Sequence, residues 1–70
     1  MQTLTNLRRR QGLRQKDVAR RAGRSQSWVS RMEQSADPRL SQLADYIKAL
    51  GAQLDVTIRL PDGEAVSAQI

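Results

Sequence analysis

The first residues of the chain have the apolar spacing of a short amphipathic helix. Leu4 and Leu7 are three positions apart and would share one inward face. A threonine at position 3 or 5 could cap this helix, and Gly12 would end it after about residue 11. The arginines at 8–10 are expected to face mostly outward.

Two more short helices are predicted on either side of a turn at Gly23. The first runs from about Gln15 to Ala22 and places Val18 and Ala19 on one face. Glycine tolerates the positive φ that commonly ends a helix, so Gly23 is its expected stop.

The next helix is expected at residues 26–34, with Ser25 as its N-cap. Its inward face is Val29 and Met32, and Val29 should pack on Val18. Ala19 would lie where the two helix axes cross, because a larger side chain there would separate them.

A fourth helix should follow the turn at residues 35–38, since Pro38 restricts the backbone before it. Its core-facing residues are spaced three, four and three apart, and Gly51 would end it. They are Leu40, Leu43, Ile47 and Leu50.

After residue 53 the spacing of the apolar residues changes from that of a helix to every second residue, which is the pattern of a half-buried strand. The inward residues are Leu54, Val56, Ile58 and Leu60. A loop at 61–65 could return the chain as a hairpin, pairing Leu60 with Val66, Ile58 with Ala68, and Val56 with Ile70. Its apolar face needs a cover, either the helices or a second subunit.

We therefore predict a mainly α fold of four or five helices at residues 1–51, and a strand or hairpin tail at 52–70 for dimerisation.

Charge and composition narrow the range of functions that this chain could have. Residues 1–39 carry a net charge of +7 and residues 40–70 a net charge of −2, as expected when one surface faces a polyanion. The chain has no Cys or His, and no paired carboxylates or phosphate-binding loop are evident, so catalysis, a metal site and a cofactor are not expected. No signal peptide or membrane span is evident, which favours an intracellular protein.

The most informative stretch is QKDVARRAGRSQSWVSRME at 15–33, two short helices joined by a tight turn containing glycine. With the flanking GLR and the following QSADPRLSQLADYIKALG, it resembles the Cro/C1-type (XRE-like) helix-turn-helix family, including antitoxin-like regulators, over about residues 4–51. The resemblance implies a helix-turn-helix bundle whose third helix enters the major groove of DNA.

Two residues depart from the family pattern. Arg14 stands where a capping Ser or Thr is common. Arg24 replaces an aliphatic residue of the turn; its stem could cover the core edge while its guanidinium stays in solvent.

The resemblance also implies DNA contacts. Those on the exposed face of the third helix would read bases: Gln26, Ser27, Ser30 and Arg31. Gln suits adenine and Arg suits guanine. Candidates for phosphate contact are Gln15, Lys16, Ser25, Trp28, Arg10, Arg14 and Arg39, while four further arginines, Arg8, Arg9, Arg20 and Arg21, are weaker candidates.

Two residues of the third helix have competing interpretations. Trp28 could lie along the DNA backbone and donate its indole N–H to phosphate, or it could be buried in the core or a dimer interface. Glu33 is expected to form an internal salt bridge with an arginine of the second helix rather than a functional site.

These observations predict a homodimeric repressor that binds a palindromic operator in double-stranded DNA, without a cofactor or membrane partner, in the cytoplasm at the nucleoid. The tail LGAQLDVTIRLPDGE resembles that of antitoxin-like members, which repress their own operon and bind a cognate toxin. A free-standing phage-type repressor is the alternative. A protein-interaction module without specific DNA binding is a further one.

Overall fold

The computed structural model describes residues 1–69 as four helices followed by one β-hairpin. The elements are α1 (Gln2–Arg10), α2 (Gln15–Ala22), α3 (Gln26–Gln34), α4 (Leu40–Ala49), β1 (Asp55–Arg59) and β2 (Ala65–Gln69). The predicted mainly α fold with a C-terminal hairpin is confirmed. Within these residues no helix is long and apolar enough to cross a membrane.

The helix ends agree with local capping chemistry except at the N-terminus. α2 ends at Gly23, whose φ of 66° is left-handed, and Ser25 caps α3 by accepting a hydrogen bond from the backbone N–H of Trp28. The predicted cap of α1 at Thr3 or Thr5 is wrong, because α1 begins at Gln2. The Thr5 hydroxyl instead donates to Glu33.

The core lies between the four helices. Its most deeply buried large side chains, one from each helix, are Leu4, Val18, Val29 and Tyr46. Ala19 is also buried, and its small side chain is consistent with close packing of α2 and α3. Leu43, Ile47 and Leu50 pack as predicted, but Leu40 is 45% exposed. It is the first residue of α4, one turn before the packed stripe, and Tyr46 supplies the large core side chain of this helix.

The hairpin forms with a register two residues away from the predicted one. Ile58 pairs with Val66, and Val56 with Ala68, instead of Leu60 with Val66 and Ile58 with Ala68. The loop occupies residues 60–64 because the Leu60 N–H donates to the Glu64 carbonyl at 2.7 Å, around a left-handed Gly63. The predicted pairing of Val56 with Ile70 involves a residue outside those described.

The hairpin extends from the helices rather than folding over them. The molecule measures 44 × 22 × 20 Å, and Leu54 joins the hairpin to the edge of the core. Ile58, Leu60 and Val66 are 50%, 38% and 45% exposed. Of the two covers considered for this apolar face, the helices of the same chain therefore do not supply one.

Candidate nucleic-acid interface

α2, the turn and α3 form a compact helix-turn-helix unit. Val18 of α2 and Val29 of α3 belong to the same core cluster and are completely buried. The turn is closed by a hydrogen bond of 2.9 Å from the Arg24 N–H to the Ala19 carbonyl. Ser25, the next residue, is the N-cap of α3. The orientation of α3 relative to α2 is thus held by both packing and backbone hydrogen bonds.

The side chains predicted to read bases lie on α3 with unequal exposure. Gln26, Ser27 and Arg31 are exposed, and none of them makes a side-chain hydrogen bond among the described side chains of residues 1–68. Ser30 is half-buried, and its hydroxyl accepts a hydrogen bond of 3.1 Å from the Gln34 side chain. The first three are consequently the most available for a ligand.

The residues predicted to contact phosphate come from several elements. Arg10, Lys16, Ser25 and Arg39 are exposed. They lie respectively at the end of α1, in the first turn of α2, before α3 and before α4. Gln15 is half-buried, and its side-chain amide donates to Glu33 at 3.3 Å.

Arg14 forms part of the cap of α2. The Asp17 carboxylate accepts hydrogen bonds from the Arg14 backbone N–H at 2.8 Å and from its guanidinium Nε at 3.1 Å. These hydrogen bonds lower the pKa of Asp17. The third residue of α2 thus binds the backbone N–H of residue 14, which is the half of a capping box that needs no serine or threonine at that position, and the guanidinium remains largely exposed.

Glu33 lies at the centre of a buried polar network. Its carboxylate accepts hydrogen bonds from Arg8 Nε at 2.8 Å, Arg8 Nη2 at 3.1 Å, Tyr46 at 2.7 Å and Thr5 at 2.9 Å, besides that from Gln15. An internal salt bridge was expected, but with an arginine of α2. The partner is Arg8 of α1, whose side chain is the exception to the expectation that the arginines at 8–10 mostly face outward.

The network controls the ionisation of its members. Burial alone would raise the pKa of Glu33, but the hydrogen bonds from Arg8, Tyr46, Thr5 and Gln15 outweigh burial and lower it to about 2. Burial, assisted by the Glu33 carboxylate, raises the pKa of Tyr46, and the hydrogen bond to Glu33 raises that of Arg8. Glu33 therefore stays charged and Tyr46 neutral at pH 7.

Trp28 is buried, which resolves its two interpretations in favour of the core. It is 7% exposed, and its ring centroid lies 6.3 Å from that of Tyr46. Its indole nitrogen Nε1 is buried without a hydrogen-bond partner among the described residues. A direct bond from this N–H to a DNA phosphate, as one interpretation predicted, is incompatible with this position.

Arg24 covers the Trp28 ring. Its guanidinium carbon lies 4.9 Å from the ring centroid, and Nη2 donates to the Asp45 carboxylate of α4 at 2.9 Å. The expected arrangement, with the stem at the core edge and the guanidinium at the surface, agrees with a side chain that is 39% exposed. Asp45 was not anticipated as its partner.

Comparison with known proteins agrees with this geometry. The model of a family described as "Helix-turn-helix domain" matches residues 2–60. The chain belongs to this helix-turn-helix family. A solved structure of the HigA antitoxin, in which unique dimerization induces DNA bending, matches with a TM-score of 0.80 and 32% identity, over 93% of this chain and 88% of that chain. Comparison with curated proteins found no significant match.

The resemblance to XRE-like, antitoxin-type helix-turn-helix regulators is thereby confirmed, and with it the general role of a DNA-binding regulator. Sequence reasoning missed Arg8 and Tyr46 as members of the buried network. The signal for Arg8 was its spacing, because it follows Leu4 by four residues and so shares the buried face of α1.

Proposed function

We propose that this protein is a homodimeric repressor of its own operon and the antitoxin of a toxin-antitoxin pair. The observation that carries the proposal is the exposed face of α3. The side chains of Gln26, Ser27 and Arg31 have no hydrogen-bond partner among the described side chains of residues 1–68, and they stand on a helix fixed by the core beneath it. Amide and guanidinium groups on such a helix can read adenine and guanine in the major groove.

Electrostatics supports this role for the same face. Ten of the twelve Lys and Arg residues fall within residues 1–39. We infer that Arg10, Lys16, Ser25 and Arg39 contact phosphates around the groove entered by α3, with Arg14 and Gln15 at the start of α2. Backbone contacts of this type position a protein on DNA without selecting sequence.

The hairpin supports dimerisation. A two-stranded hairpin with an exposed apolar face is scarcely stable in water, and a second copy is a cover of matching chemistry. In this proposal residues 1–51 bind DNA and residues 52–70 dimerise through Leu54, Val56, Ile58 and Leu60. The two α3 helices would then read a palindromic operator with half-sites about 34 Å apart.

The likeness to the HigA antitoxin supports a cognate toxin as the further partner. Operator binding would place the protein in the cytoplasm at the nucleoid, and the proposed activity needs neither a cofactor nor a catalytic residue. A free-standing repressor would use the same DNA-binding face, so the genes adjoining its operator distinguish the two roles.

The first test is salt-dependent binding to the DNA immediately upstream of the gene, with a scrambled duplex of equal length as competitor. We expect preference for the upstream duplex, and log affinity that falls with log salt by about 0.9 per phosphate contacted. Weak and equal binding to both duplexes would refute autoregulation.

The second test separates base reading from phosphate contact. Arg31→Ala should relax the preference at one base position in each half-site, whereas Lys16→Ala should weaken binding to all duplexes similarly. If both variants lowered binding uniformly, the assignment of α3 as the recognition helix would be wrong.

A further inference from the structure

Trp28 is the third residue of α3, directly after the two exposed residues Gln26 and Ser27. Its backbone N–H donates to the Ser25 hydroxyl at 3.0 Å, so both its backbone and its ring belong to the first turn of the helix. Any contact that fixes this ring therefore also fixes the turn that carries Gln26 and Ser27.

The ring is held by two side chains from different parts of the fold. Tyr46 of α4 packs against it inside the core, with an angle of 39° between the ring planes. Arg24 of the turn lies over it at 4.9 Å, within the range of a cation–π interaction. Arg24 in turn bonds to Asp45, the residue immediately before Tyr46 in α4.

The contacts form a closed loop from the turn to α3, to α4 and back to the turn. Both charged groups are well exposed, at 39% for Arg24 and 49% for Asp45, so their ion pair contributes little to stability. Its geometry is nevertheless specific, because one guanidinium stacks on the ring and bonds to the carboxylate at once.

We propose that Arg24 and Asp45 are positioning residues for DNA reading: together they fix the first turn of α3 against α4 through Trp28. This rests on the proposed function of α3. In this proposal Arg24 acts through the Trp28 ring and the Asp45 carboxylate that its guanidinium contacts, and not as a phosphate contact. Its effect on DNA is transmitted through the orientation of Gln26 and Ser27.

The decisive variant is Asp45→Asn, because the two roles of Arg24 predict different effects on sequence preference. If Arg24 contacts phosphate, removing a nearby negative charge frees it, so that overall binding tightens or stays the same and sequence preference is unchanged. If Arg24 positions α3, the same variant loosens the first turn and sequence preference falls. Glu64→Gln in the hairpin loop removes the same charge from a region far along the chain, and serves as the control.

The experiment selects duplexes from a random-sequence library with the wild type, Asp45→Asn, Arg24→Lys, Arg24→Ala and Glu64→Gln as full chains. Gln26→Ala identifies the base position that Gln26 reads. We expect Asp45→Asn and Arg24→Lys to lower the preference at that position about threefold to tenfold, a fraction of a full base contact, with affinity for a scrambled duplex unchanged or higher. Glu64→Gln should match the wild type.

Two further measurements exclude a merely structural effect. Circular dichroism should show each variant folded at the binding temperature. The fluorescence of Trp28, the only tryptophan, should change in Arg24→Ala and Asp45→Asn but not in Glu64→Gln. Asp45→Asn with unchanged preference, or Arg24→Ala with an effect confined to the salt slope, overturns the proposal. Failure of the wild type to enrich any sequence would instead refute the proposed function itself.

Discussion

The helical body and the hairpin differ in how far their apolar side chains are buried. In the body, every helix has at least one side chain that is almost completely buried, and the Glu33 carboxylate is surrounded by hydrogen-bond donors. In the hairpin, Ile58 is 50% exposed although it stands on the apolar face. The body therefore covers its apolar side chains within one chain, whereas the hairpin leaves an apolar surface exposed among the described residues.

Removal of the Glu33 carboxylate should give the largest loss of stability in the helical body. Glu33→Ala leaves Arg8 buried without its ionic partner, and a broken buried pair costs about 3–5 kcal/mol of stability. Urea denaturation measures the loss. The matched control is Arg14→Ala, which breaks an exposed pair and should cost much less stability. Equal losses in the two variants would contradict the central role of Glu33.

Acid should reproduce much of that effect without a mutation. The folded state lowers the pKa of Glu33 from 4.5 to about 2, so its stabilisation is complete above pH 4.5 and is lost as the pH falls toward 2. The shift corresponds to about 3 kcal/mol. We expect the difference in unfolding free energy between the wild type and Glu33→Gln to shrink over this interval. A constant difference would show that Glu33 has an ordinary pKa.

A charge on the apolar face of the hairpin should separate the subunits and leave the body intact. Ile58→Lys places an ammonium group in the proposed dimer interface and should raise the dimer dissociation constant on the order of a hundredfold, because a buried unpaired charge is costly. Sedimentation velocity reports the mass, and circular dichroism the unchanged helices.

Thr57→Lys is the matched control for this prediction, since Thr57 adjoins Ile58 on the opposite face of β1. It should leave association nearly unchanged. A wild-type protein that is monomeric at micromolar concentration, or equal effects of the two lysines, would refute the hairpin interface.

The smallest effect is expected for the phenolic hydroxyl in the network. Tyr46→Phe keeps the ring beside Trp28 but removes the hydrogen bond of 2.7 Å to Glu33, at a cost of about 1–2 kcal/mol. Because the fold raises the pKa of Tyr46, its contribution is present below pH 10 and is lost as the pH rises above that value. Thermal unfolding at pH 7 and above pH 10 should show the two proteins converging.

The helices could be predicted from sequence because their determinants are local. Apolar spacing located all four, and Gly23 and Ser25 marked the helix-turn-helix boundary to the residue. The hairpin register could not be obtained in this way. Alternation with a period of two is unchanged by a shift of two residues, and only the loop closure between Leu60 and Glu64 distinguishes the registers.

The candidate site likewise has some features that a local sequence pattern predicts and others that it does not. Exposure of Gln26, Ser27 and Arg31 follows from the polar face of one helix, so a helical pattern predicts it. The partners of Glu33 and Arg24 do not follow, because Arg8 and Asp45 are 25 and 21 residues away along the chain. Such pairs depend on how helices pack, and no local pattern specifies that packing.

Glu33 belongs to α3, and its donors Arg8, Gln15 and Tyr46 belong to α1, α2 and α4, so one carboxylate contacts all four helices. Detachment of any one helix would leave the others with a partly solvated charge inside an apolar core. Partial unfolding is therefore penalised for every helix alike. The consequence is cooperativity: backbone amides at the centres of all four helices should exchange with solvent through one common global opening, at similar rates, despite the short length of each helix.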